Sequence, residues 1–248
     1  MTPVLLLHSG GLTSRQWRKL GALLAPQHRV IAPDLLGYGA ERWPVGKPFH
    51  FRDDLAMLAE LVDEPAHVVG HSYGGLLAFQ LALARPTAVR SIAAYEPVTF
   101  GILDEARPGD AAVRDTIGQL GAYRPQAGEA WLESFIDWWQ GAGAWRALPP
   151  ATRQAFLDVG WKLSEEVASL TADRTGRARY AKITAPALIL AGELTHPAEL
   201  HVVRELAHAL PHATLEVFPG MGHMGPITHA DQVNAAIVAF LAARDAEA

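Results

Sequence analysis

The fold of this chain is decided by residues 66–75, which read AHVVGHSYGG. An apolar run ends at Gly70, the pattern Gly-x-Ser-x-Gly places Ser72 at its centre, and a helical pattern of leucines begins at once. This context is typical of a nucleophile elbow, where a strained turn presents the serine hydroxyl and the next helix directs its positive end there. Glycines flank the serine because larger side chains would clash with the neighbouring strand or helix. We therefore predict that Ser72 is a nucleophile, although the short pattern alone also arises by chance.

Length and composition limit the kind of protein this can be. The chain has 248 residues, half of them apolar, which suits one large α/β domain or a core with an inserted subdomain. Its net charge of −5, without a basic cluster, argues against a nucleic-acid partner. It contains no cysteine, which excludes disulfides and thiolate chemistry. Because no signal-peptide pattern and no apolar stretch of membrane-spanning length occurs, we expect a cytoplasmic protein without a membrane partner.

Strand-like and helix-like segments alternate along most of the chain. The first strand-like run, residues 4–7, is apolar throughout, as expected of a strand buried on both faces of a parallel sheet. Alternation of this kind predicts an α/β fold with helices on both faces of the sheet. The further strands are predicted at residues 29–32, 66–70, 89–95, 187–191 and 214–218.

The alternation breaks between about residues 100 and 175, where no strong strand pattern occurs. This segment is helix-like and contains five of the seven tryptophans of the chain. Plain packing is the commoner role for any one such residue, but together they indicate a lid with an apolar inner surface. We therefore expect a core formed by residues 1–99 and 176–248 and a helical lid formed by residues 100–175. The candidate pocket residues share one helical face and are Trp131, Phe135, Trp138 and Trp139.

Four motifs together resemble those of the α/β-hydrolase family. They are His8-Ser9-Gly10-Gly11 after the first strand, DLLGYG at residues 34–39, the serine elbow, and Gly220-Met221-Gly222-His223 after the last strand. The resemblance covers nearly the whole chain apart from details of the lid, and none of the motifs is decisive alone. It implies a mostly parallel sheet of about six strands, without the two strands that usually come first, and loops that gather at one end of the sheet.

The resemblance also implies the partners of Ser72. A serine hydroxyl needs a base to take its proton, and the family's order of serine, acid and histidine puts that base at His223. The two donors of the oxyanion hole are implied to be the backbone N–H groups of Gly10 and Tyr73. Ser9 stands where many relatives have glycine, and this departure puts the shape of the loop at issue.

The remaining histidines have plainer interpretations. His71, beside the serine, is expected to be a packing residue or part of the pocket wall. No spacing typical of a metal site is present, so no metal is expected. The histidines considered for this were His196, His201, His208, His212 and His229.

The sequence leaves the acid of the triad open. The family most often has an aspartate three residues after the glycine that ends the penultimate strand, and Thr195 occupies that position here. Some relatives, such as haloalkane dehalogenases, carry the acid one strand earlier, where this chain has Glu96. Glu96 is the favoured candidate and Glu193 the second. A third alternative is that the histidine has no charged partner.

A serine nucleophile with an oxyanion hole implies attack on a carbonyl group. Haloalkane dehalogenases and epoxide hydrolases need a carboxylate at the elbow, so we expect a serine hydrolase that cleaves a small apolar carboxylic ester through an acyl-enzyme. Lactonase, thioesterase and carbon–carbon bond hydrolase are alternatives on the same site. No cofactor-binding motif occurs, so no cofactor is expected. A ligand-binding or receptor-like protein on a degenerate hydrolase scaffold stays open because the usual aspartate is missing.

Overall fold

The computed structural model of the chain describes residues 1–44, 46–121 and 128–247. Its centre is a six-stranded sheet in which every neighbouring pair of strands is parallel. In chain order the strands are β1 (Pro3–Leu7), β2 (Arg29–Ile31), β3 (Ala66–His71), β4 (Val89–Tyr95), β5 (Ala187–Gly192) and β6 (Ala213–Phe218). Their spatial order is β2-β1-β3-β4-β5-β6, so β3 and β4 lie at the centre. The predicted α/β fold with a parallel sheet of about six strands is confirmed.

Helices connect the strands and cover both faces of the sheet. They are α1 (Arg18–Leu24), α2 (Phe51–Leu61), α3 (Tyr73–Ala84), α4 (Pro108–Gly121), α5 (Gly128–Gln140), α6 (Ala144–Ala147), α7 (Pro150–Thr171), α8 (Arg177–Tyr180), α9 (Pro197–Ala209), α10 (Gly225–Thr228) and α11 (Ala230–Ala246). Short 3₁₀ turns lie at Ser14–Trp17, Pro86–Ala88 and Phe100–Ile102. None of the described helices is long and apolar enough to cross a bilayer.

The two faces of the sheet pack against different helices. On one face, α1 and α11 contribute Leu20, Leu24 and Ile237 to a core that includes Leu6 of β1. On the other face, α2, α3 and α9 share a larger core with helices from the segment between β4 and β5. Strands β1 and β3 are buried along their whole length, which explains why they read as apolar runs. Strand β6, at one edge, mixes half-buried and exposed residues.

The described residues between β4 and β5 form helices α4 to α8 and contain no strand. Helix α5 packs against α6 and α7, and α4 packs against both α7 and α9. Because α9 belongs to the sheet's own helical layer, the inserted helices are in contact with that layer. The lid boundaries at residues 100 and 175 stay a prediction.

The turn after β3 is tight. Ser72 has a positive φ of 53°, a conformation that residues with side chains rarely adopt. A Cβ on Gly74 would collide with the carbonyl oxygen of Leu7, and a Cβ on Gly75 would lie 2.8 Å from Cβ of Pro97. Glycine at these two positions therefore lets the start of α3 approach the backbone of the neighbouring segments.

Gly74→Ala is expected to destabilise the fold because the new methyl group has no space against fixed backbone. Overpacking of this kind costs about 1–3 kcal/mol or more. Gly118 in α4 provides a matched control, since it is exposed, helical and has nothing within 4 Å of an added Cβ. Gly118→Ala should stabilise the protein by roughly 0.5–1 kcal/mol. Urea unfolding measures both changes, and equal stability of Gly74→Ala and the parent would contradict the predicted clash.

Candidate active site

Three of the residues predicted from the sequence lie at the carboxyl ends of strands. Ser72 follows β3 directly, Glu96 follows β4 directly, and His223 lies in the loop between β6 and α10. The carboxyl ends of parallel strands share one edge of the sheet, where ligands bind in open α/β folds. All three residues are buried, and Ser72 and His223 line the same cavity.

The backbone of Ser72 is held from two sides. Its N–H donates to the carbonyl oxygen of Tyr95 at 2.9 Å, and its carbonyl oxygen accepts from the N–H of Leu76 at 3.0 Å. The first bond joins the elbow to the end of β4, and the second begins the hydrogen bonding of α3. The strained turn is therefore fixed by its surroundings rather than by its own preference.

The carboxylate of Glu96 is the hydrogen-bond partner of His223. Nδ1 of His223 lies 2.6 Å from Oε2 of Glu96, and the hydroxyl of Thr195 donates to the same oxygen at 2.7 Å. The other carboxylate oxygen accepts from the N–H of Gly192 at 2.8 Å. When Nδ1 donates to Glu96, Nε2 of His223 carries the lone pair that can accept a proton.

The other two residues considered for the acid lie elsewhere. Glu193 is exposed, and its carboxylate accepts from the N–H of Gly220 at 3.1 Å. Thr195, at the position of the family's usual aspartate, donates its hydroxyl to Glu96. Of the two glutamates that the sequence left open, the structure brings Glu96 to His223.

A further glutamate near this site was missed by the sequence reasoning. Glu199, in the first turn of α9, is fully buried, and neither carboxylate oxygen has a hydrogen-bond partner among the described residues. Burial and the nearby charge of Glu96 raise the pKa of Glu199 well above its usual value. A glutamate in a first helical turn usually indicates a surface residue favoured by the helix dipole, so the sequence carried no signal of this burial.

The loop after β1 is fixed by His8. Nε2 of His8 accepts from the N–H of Leu35 at 2.9 Å, and Nδ1 donates to the carbonyl oxygen of Ser9 at 2.8 Å. This arrangement requires a neutral ring, and burial lowers the pKa of His8 to about 4. Gly10 and Tyr73, the predicted oxyanion donors, both line the cavity that contains the elbow serine.

A chain of hydrogen bonds links this loop to the loop of His223. The side-chain oxygen of Gln16 accepts from the N–H of Ser9 at 2.9 Å, and its nitrogen donates to Nδ1 of His71 at 3.0 Å. Nε2 of His71 donates to the carbonyl oxygen of His223 at 2.9 Å. Burial and the nearby His223 lower the pKa of His71 well below its usual value, which keeps the ring neutral. The sequence predicted a packing or wall residue at His71 and did not predict that it links Gln16 to the loop of His223.

The cavity at this edge has a volume of about 50 Å³ and a mostly apolar wall. Of the four aromatic residues predicted to line it, Phe135 and Trp139 do so. Trp139 also stacks on the ring of His223, with the ring centroids 3.8 Å apart. Helix α5 therefore contacts both the cavity and the candidate base.

The other two aromatic residues are not part of the cavity wall. Trp131 stacks on Phe135 with centroids 5.2 Å apart, and Trp138 stacks on His196 with centroids 3.8 Å apart. Trp131 and Trp138, which were expected to line the pocket, therefore lie outside the wall of this cavity, and the assignment of pocket residues stays a prediction. A shared helical face is wider than the part of it that meets a small cavity.

Among the described residues, one cluster of possible metal ligands lies at the opposite end of the sheet, beside the start of β3. Nε2 of His28 and Nε2 of His67 contact the carboxylate of Asp245 at 2.9 Å and 3.2 Å. The guanidinium of Arg90 lies 3.9 Å from the same carboxylate and disfavours a second cation. We assign no metal to this group, which instead holds the end of α11 against the sheet.

Comparison with known proteins identifies the family. The alpha/beta hydrolase family matches residues 4–236, so the chain belongs to that family. The chain is 30% identical over 260 residues to the magnesium-chelatase 30 kDa subunit of Rhodobacter capsulatus, over 96% of this chain and 86% of that one. It is 28% identical to the 2-hydroxymuconate semialdehyde hydrolase of Pseudomonas sp. strain CF600, over 99% of this chain and 89% of that one.

Solved structures agree at the level of the fold. A thermophilic esterase from Thermogutta terrifontis has a TM-score of 0.78, with 20% identity over 98% of this chain and 90% of that chain. At this identity the likeness establishes the fold alone. Family membership, together with the relative that is named a hydrolase, identifies this protein as a hydrolase.

Glu199 provides a test of the electrostatics beside the site. Its pKa is higher in the folded protein than in the unfolded chain, so its contribution to stability falls as pH rises above the ordinary pKa of glutamate. The loss is about 1.4 kcal/mol for each pH unit until the folded group also ionises. Glu199→Gln keeps the shape without the titration, so it should match the parent at about pH 4 and exceed its stability at about pH 8.

The measurement is thermal unfolding of parent and variant across this pH range. Glu165→Gln, at a half-buried glutamate of α7, is the matched control for the chemical change from carboxylate to amide. Parallel stability curves for the parent and Glu199→Gln would mean that Glu199 ionises normally in the folded protein.

Proposed function

We propose that this hydrolase cleaves small carboxylic esters with Ser72 as nucleophile, His223 as general base and Glu96 as the acid. The observation that carries the proposal is the 2.6 Å hydrogen bond between Nδ1 of His223 and Oε2 of Glu96, with His223 and Ser72 on one cavity wall. A carboxylate in this position orients the imidazole ring and stabilises the imidazolium that forms during attack. Serine at the elbow argues for a carbonyl substrate, because displacement of a halide there requires a carboxylate.

The reaction would proceed in two halves. Oγ of Ser72 attacks the ester carbonyl carbon while its proton moves to Nε2 of His223, and Glu96 stabilises the positive charge. The backbone N–H groups of Gly10 and Tyr73 stabilise the negative charge on the carbonyl oxygen. Collapse of this intermediate passes the proton to the leaving alkoxide and leaves an acyl group on Ser72. Water, activated by His223, then releases the acid and restores the serine.

We infer that residues 100–175 act as a lid that selects the substrate. Phe135 and Trp139 come from this segment and line the cavity, whose small volume of about 50 Å³ favours a short acyl chain. The indole face of Trp139 covers one side of the His223 ring, so this lid residue contacts both the cavity and the proposed base. The chain contains no cysteine, which suits a reducing compartment, so we propose that the enzyme works in the cytoplasm.

A second candidate reaction is hydrolysis of a carbon–carbon bond next to a carbonyl group. The observation in its favour is the 28% identity, over most of both chains, to a protein named 2-hydroxymuconate semialdehyde hydrolase. The same nucleophile, base and oxyanion donors would serve. The two reactions differ in whether the bond broken at the carbonyl carbon is to a carbon or to an oxygen atom of the leaving group. Lactones and thioesters would also fit this chemistry. A ligand-binding protein would not need a carboxylate–imidazole pair, which argues against that alternative.

Ser72→Ala is expected to remove ester hydrolysis while leaving the fold intact, because the attacking oxygen is lost. Removing a triad nucleophile costs about 10⁶-fold in turnover. The measurement is hydrolysis of p-nitrophenyl acetate, with circular dichroism as the control for folding and a fluorophosphonate probe to label the parent serine. Activity within tenfold of the parent would rule out Ser72 as nucleophile.

Glu96→Gln keeps the size of the side chain but removes the charge that stabilises the imidazolium. We expect turnover to fall by roughly 10²–10⁴-fold. Glu193→Gln is the matched control and should be nearly silent, because Glu193 is exposed and does not contact His223. Thr195→Asp in the Glu96→Gln background should restore part of the activity by returning a carboxylate beside the imidazole. A silent Glu96→Gln with an inactive Glu193→Gln would move the acid to the other glutamate.

A further inference from the structure

The wall of the cavity contains a buried carboxylate that the proposed triad does not use. Glu166, in α7, is only 1% exposed and lines the cavity together with Ser72 and His223. A Cβ built on Gly10 would lie 2.6 Å from Oε2 of Glu166, so this oxygen lies against the loop that carries a proposed oxyanion donor. Among the described residues of the wall, Glu166 is the single carboxylate.

Glu166 belongs to a cluster of buried charges. Nζ of Lys162 lies 2.6 Å from Oε1 of Glu166 and 3.5 Å from the carboxylate of Asp54. The hydroxyl of Tyr38 donates to Oε2 of Glu166 at 2.9 Å, and the hydroxyl of Tyr73 donates to Asp54 at 2.7 Å. One lysine therefore faces two carboxylates, and one negative charge is in excess when both are ionised. Burying an uncompensated charge is costly.

Within this cluster, Glu166 is the carboxylate that has an unused hydrogen-bond acceptor position. Burial raises the pKa of Glu166 to about 7, against the opposing effect of Lys162, so the carboxylate form that accepts hydrogen bonds dominates above that pH. Asp54 also accepts from the N–H of Leu36 at 2.8 Å and does not line the cavity. A carboxylate oxygen has two lone pairs, and Oε2 of Glu166 accepts one hydrogen bond, from Tyr38. One acceptor position is therefore left beside the cavity, in a wall that is otherwise mostly apolar.

We propose that this acceptor recognises a hydrogen-bond donor, a hydroxyl or an ammonium group, on the second or third carbon of the substrate's acyl chain. The inference rests on the proposed ester hydrolysis at Ser72. In that reaction the carbonyl oxygen lies at the N–H of Gly10, and Oε2 of Glu166 is in contact distance of Gly10. The carbon that carries the donor is therefore placed one or two bonds from the carbonyl carbon. Small-molecule sites typically fix orientation with a few polar groups in an apolar wall.

Matched pairs of esters test the preference in the parent enzyme. Ethyl 3-hydroxybutanoate and ethyl 3-methylbutanoate differ by a hydroxyl in place of a methyl group, and ethyl 2-hydroxypropanoate and ethyl 2-methylpropanoate do so one carbon earlier. We expect kcat/KM to favour the hydroxy ester of at least one pair by about tenfold or more. Ethyl 3-aminobutanoate distinguishes a charged donor from a neutral one. A parent enzyme that hydrolyses every methyl ester at least as well as its donor counterpart overturns the proposal.

Glu166→Gln removes the acceptor without removing bulk. Because Lys162 retains the amide oxygen, the amide NH₂ group takes the place of Oε2. The preference for the hydroxy ester should fall to about one, because kcat/KM for the hydroxy ester drops by more than kcat/KM for the methyl ester. Glu165→Gln, one residue away and outside the cavity wall, should keep the preference. A purely structural role of Glu166 would lower both esters together and would overturn the proposal.

Binding to the Ser72→Ala variant separates this subsite from the proposed reaction. Calorimetry with the preferred hydroxy ester and its methyl partner needs no turnover. We expect tighter binding of the hydroxy ester, and loss of the difference in the Ser72→Ala/Glu166→Gln double variant. If the parent hydrolyses neither ester but Ser72→Ala still prefers the hydroxy ester, ester hydrolysis fails as the function and the subsite stands. Equal affinities, or binding of neither ester, overturn the subsite.

Discussion

The geometry of the site depends on one buried carboxylate, that of Glu96. It accepts hydrogen bonds from Gly192, Thr195 and His223, so the ends of β4 and β5 and the loop after β6 meet on one side chain. Glu96 has a positive φ of 44°, so the backbone is strained where it delivers this group. A buried donor left unpaired costs about 1–3 kcal/mol. The carboxylate therefore has a structural role beside its proposed chemical one, and its removal would disturb two strand ends as well as the imidazole.

The fold and two members of the candidate site were accessible from the sequence because their signals are local. Buried parallel strands read as apolar runs, and the predicted strand ends agree with the structure to within about one residue. Ser72 and His223 lie in short motifs beside such strands. The acid is different, because Glu96 and Glu193 both follow a strand directly. Only the turn conformation, with Thr195 bonded to Glu96, distinguishes them, and a sequence does not display it.

Polar groups that meet across long distances in sequence were the least predictable. The hydrogen bond from Gln16 to His71 joins segments 55 residues apart, and no local sequence pattern predicts it. Lys162 and Glu166 have the spacing of an ordinary surface ion pair on a helix. They are buried because α7 packs against α2, which brings Asp54 into the same cluster. Burial of this kind is a property of the whole fold, so it appears only once the helices are placed together.

If His223 is the base, the stacking of Trp139 on its ring links the range of substrates to the rate of the reaction. One indole both shapes the cavity and forms the immediate surroundings of the ring proposed to carry the proton. A substitution of Trp139 that admits a new substrate would therefore also change turnover, so substrate range and turnover could not evolve independently there. Phe135 lines the same cavity, and its described ring contacts are with Trp131 and Trp139 rather than with the imidazole. Substitutions at Phe135 would therefore change the range of substrates with less effect on turnover than substitutions at Trp139.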